Sequence, residues 1–335
     1  MASARIALDA LGGDHCPRNE VAGAVEAARG GVHVVLVGDR EAIEAELVGV
    51  ADRASLPLTI HHAPVAITMA DHPGKAVRAK PDASMPTCFE LVRTGVADAA
   101  MSAGNSGAML ACGLFKYRRI RGVDRPAIVA SLPNHNPSGD GFTTLLDIGA
   151  NVECRPINLV QFAIMGASYA RFKHGRARPR VGLLSNGSED GKGTELTRAT
   201  HELLSAGESP DFIYAGYAEG QGVFDGSFDV VVTDGFSGNI ALKVAEATGR
   251  LIGQWLKQAV MADLRSKLGA LLLRPAFDRL RSVMNPDTYG AAPLLGVDGM
   301  AWICHGGASP FALATALRLA ARSVDESLTP AVAEA

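Results

Sequence analysis

Aromatic residues make up only 5% of this 335-residue sequence. So sparse a supply leaves few platforms on which bases stack, and a formal net charge of -3 provides no basic field to draw in nucleic acid. Cysteine is scarce too. Cys16, Cys88, Cys112, Cys154 and Cys304 are odd in number and nowhere spaced as C-x-x-C. That argues against a zinc site or a disulfide framework and makes them reduced, mostly structural thiols. No apolar run approaches the roughly 18 residues that span a bilayer, and Met1 to Arg5 lead straight into a strand-like run instead of a signal peptide. The expected compartment is the cytosol.

Several chemical signatures are absent as well. SNGSEDGKGTEL, Ser185 to Leu196, nearly spells a P-loop, yet Asn186 stands at the first glycine and Gly193 where the magnesium-binding hydroxyl belongs. No G-x-G-x-x-G follows a strand with an acid about 20 positions on, so an NAD site has little support. His201-Glu202 lacks the second histidine of a zincin, and neither G-x-S-x-G nor S-x-x-K occurs. Neither a metal, a cofactor nor a covalent nucleophile is expected.

What is present is a rhythm. At 47% hydrophobic the chain supports a large core. Short β-rich runs, RIALDALGGD, HVVLVGD, ADAAMSAGNSG, TTLLDIGAN, RVGLLSNGSED and DVVVTDGFSGN, each close on glycine and small polar residues and usually lead into a helical pattern. This alternation predicts an α/β fold: a three-layer, Rossmann-like, mainly parallel sheet in one domain over residues 1–325. Ligands of such sheets bind outside the carboxyl ends of the strands. Asp9, Asp14, Asn105, Ser106, Asp147, Asn151, Asn186, Glu189, Asp234 and Asn239 all fall at or near those ends. They form either a polar site or the caps and turns that any α/β protein needs. His15 and His305, at the first and last strand ends, are candidates for proton transfer or anion contact.

Lys192 is the odd residue. A helix is expected from Gly193 to Ala206, and a cation at its N-terminus opposes the helix dipole by about 0.3 to 1 kcal/mol unless an anion sits there. Either Lys192 pairs with Glu189, Asp190 or Glu195, or it and the Gly191 to Gly193 backbone cradle a phosphate.

After Ile240 the βα rhythm gives way to a long helical segment. Leu251, Ile252, Trp255, Leu256, Val260, Leu264 and Leu268 keep helical spacing, and Pro275 is expected to break it into a projecting hairpin over 250–285. From Arg250 to Arg281 the charge is net +5. The hairpin either lies on an anionic membrane surface or packs against a second copy or the core. Two further basic clusters, Lys116 to Arg125 and Arg171 to Arg180, are solvated surface or docking sites for an acidic partner. A small, polar tail over 326–335 is expected to fray.

Taken together, the motifs resemble those of a known family over nearly the whole chain, the bacterial phosphate acyltransferases that use acyl-acyl carrier protein. The resemblance rests on IALDALGGDHCP (6–17), MSAGNSGAMLA (101–111), LDIGANVECRPINLVQFAIMG (146–166), VGLLSNGSEDGKGTEL (181–196), VVVTDGFSGNIALK (230–243), YGAAPLLGV (289–297) and HGGAS (305–309). Departures are modest: Leu11 for Met, Glu153 for Asp, Ala291 for Gly and Gly307 for Ser.

The resemblance implies a fold related to isopropylmalate dehydrogenase and phosphotransacetylase. It also implies transfer of a long-chain acyl group from acyl carrier protein to inorganic phosphate. The product, acyl phosphate, would serve a downstream glycerol-3-phosphate acyltransferase in phospholipid synthesis. In that frame Lys192 and His15 carry the chemistry. Gly12, Gly13, Gly107, Gly191, Gly193 and His305 join the polar residues above in holding phosphate and substrate. A homodimer, cytoplasmic and peripherally bound to membrane, is implied, with Leu251, Trp255, Leu264, Leu268 and Leu272 touching lipid. Two other readings stay open: a phosphotransacetylase-like enzyme using acyl-CoA, and a non-catalytic membrane-bound adaptor.

Overall fold

The computed structural model describes residues 4–136, 141–189, 191–284 and 291–335. Its strands are β1 (Arg5–Asp9), β2 (His33–Gly38), β3 (Leu58–His62), β4 (Ala99–Ser102), β5 (Ala127–Pro133), β6 (Phe142–Leu146), β7 (Arg180–Leu184), β8 (Ile213–Ala218), β9 (Val230–Val232), β10 (Ala292–Leu295) and β11 (Met300–Ile303). Its α-helices are α1 (Arg18–Arg29), α2 (Arg40–Leu47), α3 (Pro73–Ala79), α4 (Ser84–Arg93), α5 (Ser106–Cys112), α6 (Pro156–His174), α7 (Glu195–Ala206), α8 (Gly235–Met261), α9 (Leu264–Leu272), α10 (Arg274–Met284), α11 (Pro310–Asp325) and α12 (Leu328–Glu334).

All of these strands join one sheet in the order β3-β2-β1-β4-β11-β10-β5-β6-β9-β7-β8. Seven pairings are parallel. The remaining three, β10 with β11, β10 with β5 and β5 with β6, are antiparallel. Across that central stretch the strand direction reverses, so β6, β7, β8 and β9 run opposite to β1, β4 and β11. Reversals of this kind are where α/β sheets open a crevice.

The period-two pleat explains the layers. Ile6, Leu8, Val34, Leu36, Met101 and Trp302 cluster with Val21 and Ala24 of α1 and Leu313 and Leu317 of α11. Their neighbours Ala7, Val35, Val37, Ala100 and Ala301 turn to the other face and cluster with Met85 and Phe89 of α4 and Met109 of α5. In the second half, Leu146, Val181, Leu183, Val230 and Val232 cover Leu159 and Phe162 of α6. Each Val, Leu, Ile, Met or Phe among them, fully buried, contributes about 1.5–3 kcal/mol. The expected three-layer, mainly parallel α/β architecture is what these residues build.

Three details depart from the sequence-based expectation. The long helix starts at Gly235, runs as α8 to Met261, and is followed by α9 capped by Asp263, whose carboxylate accepts the Ser266 N–H at 2.9 Å. Pro275 therefore does not break a helix; it sits in the first turn of α10, where a missing N–H costs nothing. Helix α7 begins at Glu195, two residues later than expected, because the Thr194 side chain caps it. The last residues, expected to fray, form α12 with Leu328 and Val332 only 1% and 5% exposed. Apolar anchors a turn apart hold that helix on the core. Asn285, the far end of the expected hairpin, lies outside the described residues, as do Asp190 and the Tyr289-Gly290 pair that opens one motif.

Candidate functional site

The loop after β6 is organised by one carboxylate. Asp147 is fully buried and accepts N–H groups from Ile128 (3.0 Å), Gly149 (3.2 Å), Ala150 (3.0 Å) and Asn151 (2.7 Å), together with the Asn151 side-chain amide (2.9 Å). Asn151 also donates to the Pro126 carbonyl at 2.7 Å. The Asp147 carboxylate and the Asn151 amide N–H groups are thus engaged in shaping the backbone.

Helix α8 starts directly on that loop. The Gly235 N–H donates to the Asn151 carbonyl at 2.7 Å, and a Cβ at Gly238 would stand 1.9 Å from the Asp147 carbonyl oxygen. Only glycine permits this approach. The Asp234 carboxylate caps the helix, accepting the Ser237 N–H (2.8 Å) and hydroxyl (3.0 Å). Asn239 packs one turn on, against Gly149.

The loop after β7 turns back on itself through Gly191 and Gly193, whose φ angles of 89° and 81° are left-handed. The Gly193 N–H donates to Asn186 Oδ1 at 2.8 Å, and the Lys192 N–H to the Glu189 carbonyl at 3.1 Å. These two amides, expected to cradle phosphate, are occupied within the loop. The Lys192 side chain is exposed. Ser185 Oγ, at the root of the loop, is buried with no hydrogen-bond partner.

A second rim forms where β1, β4 and β11 end. Asp9 accepts the Ser102 hydroxyl at 2.7 Å and the Leu11 N–H at 3.1 Å, and burial pushes its carboxyl above the usual range. A Cβ at Gly12 would lie 2.6 Å from Ser102 Oγ, so the glycine keeps the two loops in contact. Asn105 caps α5 through Ala108 N (3.1 Å) and donates to the Asp71 carbonyl (3.2 Å), and Gly107 packs on Pro73. The Asp14 N–H donates to the Gly306 carbonyl at 2.8 Å, which ties the first loop to the last. Gly13 lies over the buried Glu20 carboxyl; a Cβ there would be 2.1 Å from Oε1. His15 is exposed on this loop.

Between the two rims lies a cavity of about 2120 Å³. Of the residues expected at a site, it is lined by Ser106, Asn186, Gly193, Asp234, Asn239 and His305. Glu189, Gly191 and Lys192 belong to the loop whose two ends line it. Asp9, Gly12, Gly13, Asp14, His15, Asn105, Gly107, Asp147 and Asn151 do not line it. The cavity also takes in Ser185, Thr197 and Glu246, which the sequence reading passed over. Ser185 had a signal, as the last residue before a turn-rich loop; Glu246, inside a helical run, had none. The same polar corner opens onto an apolar channel beside α8 and α10. Such a shape suits a ligand with a charged head and a long apolar body. Among the described residues no cluster of His, Cys, Asp and Glu is arranged to hold a metal ion.

This architecture places the chain among the phosphotransacetylase-like α/β folds. A phosphotransacetylase from Streptococcus pyogenes superimposes with a TM-score of 0.63 at 16% identity, over 97% of this chain and 94% of that one. One from Staphylococcus aureus gives 0.58, also at 16% identity, over 96% and 94%. Sequence similarity is far closer elsewhere. The family described as fatty acid synthesis protein matches residues 4–330. A protein named phosphate acyltransferase from Geobacter sulfurreducens is 46% identical over 98% of this chain and 93% of its own length. Another of that name, from Pelobacter propionicus, is 49% identical over 94% and 89%. The chain belongs to the phosphate acyltransferase family.

Proposed function

We propose that this chain transfers a long-chain acyl group from the thioester of acyl carrier protein to inorganic phosphate. The observation that carries the reading is a continuous cavity that joins a polar corner, at the ends of β7 and β9, to an apolar channel along α8. Family membership supplies the reaction class. A phosphate oxygen attacks the thioester carbonyl, a C–O bond forms, the C–S bond breaks, and the departing thiolate takes up the proton released by phosphate. No enzyme nucleophile is required, so the work lies in positioning two reactants and stabilising the oxyanion.

Lys192 is assigned the phosphate, beside Asn186 and Gly193, which line the corner. Of the two histidines considered for proton transfer, His305 faces the cavity and takes precedence over His15. The acyl phosphate produced is consumed by an acyltransferase acting on glycerol-3-phosphate. The protein acts in the cytoplasm as a homodimer at the membrane surface. The basic surface over 116–125 receives the acidic carrier: Arg118 and Arg121 are exposed there, whereas Arg171 is paired with Asp211 at 2.8 Å and Arg176 with Asp229 at 3.1 Å.

The test is direct. Purified protein is incubated with palmitoyl-acyl carrier protein and radiolabelled phosphate, and hydroxylamine-sensitive acyl phosphate is measured. Wild type should form it. Lys192→Ala should lose about 100- to 1,000-fold, the usual effect of removing one oxyanion-stabilising group. Equal rates from acyl-CoA would show that the carrier is not required, and no product from either donor would leave only a binding role.

A further inference from the structure

Helix α8 carries two apolar stripes with different surroundings. At about 100° per residue, Ala245, Gly249, Ile252, Gly253, Leu256 and Val260 fall within a single stripe roughly 100° wide, and all six line the cavity. Glu246, Arg250 and Lys257 line it along one flank of that stripe, whereas Leu251 and Trp255 do not line it. Phe277 and Leu280 of α10 also line it. The volume of about 2120 Å³ is well above the roughly 300–1,000 Å³ of ordinary small-molecule sites. The polar corner alone does not need it.

We infer that the cavity-facing stripe of α8 is the acyl-chain measure: the chain enters at the polar corner near Asn239 and lies along α8, and the residues around Gly253 set the longest chain accepted. This rests on the acyl-transfer reading above. The dimensions agree. At about 1.5 Å per residue, Gly249 lies roughly 15 Å and Gly253 roughly 21 Å beyond Asn239. A fatty chain of membrane length spans one bilayer leaflet, about 15 Å. Its end therefore reaches Gly249, and a side chain placed at Gly253, which leans over the turn before it, would cover that end. Both lack side chains where the trough must be deepest, and Ile252 and Leu256, 49% and 39% exposed, are the apolar neighbours left for a chain to cover.

Gly253 offers a clean substitution, because a Cβ built there meets no atom within 4 Å. Replacing a mid-helix glycine also raises helix propensity, so Gly253→Phe should fold. Acyl phosphate formation is compared for palmitoyl and octanoyl carriers. Gly253→Phe should lose at least about tenfold on palmitoyl while keeping octanoyl turnover, the discrimination a blocked hydrophobic pocket provides. An unchanged palmitoyl-to-octanoyl ratio in Gly253→Phe overturns the inference and leaves the reaction intact. Palmitate binding by calorimetry separates the two ideas. Binding lost in Gly253→Phe supports the chain site even where turnover is absent, whereas binding equal in both proteins refutes it.

Discussion

His305 Nε2 lies 3.1 Å from Oε1 of Glu246, and so joins the loop after β11 to helix α8 across the polar end of the cavity. The glutamate side chain is only 12% exposed and the histidine 62%, so the carboxylate is the fixed member and the imidazole the one being held. Glu246→Ala should lower kcat/KM for acyl phosphate formation about tenfold by freeing His305. With the imidazole largely in solvent, the pair holds under about 1 kcal/mol of stability, so Tm should barely move. Glu246→Gln, which still accepts a hydrogen bond, should fall between. Full activity in Glu246→Ala would remove His305 orientation from the mechanism.

Gly238 is the tightest contact between α8 and the Asp147 loop. With a Cβ only 1.9 Å from the Asp147 carbonyl oxygen, Gly238→Ala must push the helix off its seat. Overpacking costs about 1–3 kcal/mol, and a clash with backbone this close falls at the upper end. Urea unfolding should show that loss, with activity falling in parallel. A variant as stable as wild type would mean that α8 starts elsewhere.

That contact also explains what was and was not legible beforehand. The βα alternation and the glycine-closed turns made the α/β sheet legible because burial on both faces leaves a short apolar run in the central strands. The start of α8 was hidden. Gly235 and Gly238 lower helix propensity, and their reason is a neighbour, Asp147, that is distant in sequence. The site divided in the same way. Strand-end Asp and Asn residues were correctly placed on rims, yet pattern does not tell a carboxylate that shapes a loop, such as Asp147 or Asp9, from one that lines a cavity, such as Asp234. Only the tertiary distances do.

Arg118 and Arg121 are exposed in the basic surface whose other cations are partly neutralised, Lys116 by Glu90 at 3.1 Å and Arg119 by Asp124 at 3.7 Å. Charge complementarity acts mainly on encounter. The Arg118→Glu/Arg121→Glu double variant should raise KM for the acyl carrier roughly tenfold with kcat unchanged, and the defect should shrink as salt rises. Unchanged KM would place carrier docking elsewhere.

Glu20 is 1% exposed, its Oε2 has no hydrogen-bond partner, and burial pushes its carboxyl to about 7, with Asp9 and Asp14 adding to the rise. In the unfolded chain the same group titrates at its ordinary 4.5. Between those values the folded protein holds a proton that the unfolded chain has released. This contribution to stability is therefore complete below pH 4.5 and lost as pH rises through about 7. Glu20→Gln keeps the neutral shape at every pH. It should match wild type at acidic pH and exceed it at alkaline pH by up to about 3 kcal/mol. Thermal melts at both pH values decide: a difference independent of pH would show that Glu20 does not titrate in this range.

The outer face of the hairpin calls for a partner of its own. Leu251, Trp255, Leu264, Leu268 and Leu272 are 42%, 60%, 73%, 57% and 83% exposed, among seven cations and two acids between Arg250 and Arg281. No helix among the described residues is long and apolar enough to cross a membrane. The membrane contact proposed above would use this surface, since a basic, apolar helix face suits the interface of an anionic bilayer. Burying one leucine contributes about 1.5–3 kcal/mol, so Leu268→Glu/Leu272→Glu should cut partitioning onto phosphatidylglycerol vesicles by about 100-fold or more. Turnover of soluble substrate should be unaffected, because neither leucine lines the cavity. A dimer contact would behave differently: the same variant would halve the mass measured by sedimentation and leave vesicle binding as it was. Zwitterionic vesicles complete the argument, since binding that persists there at full strength would assign the affinity to the leucines alone and none of it to the surrounding Lys and Arg.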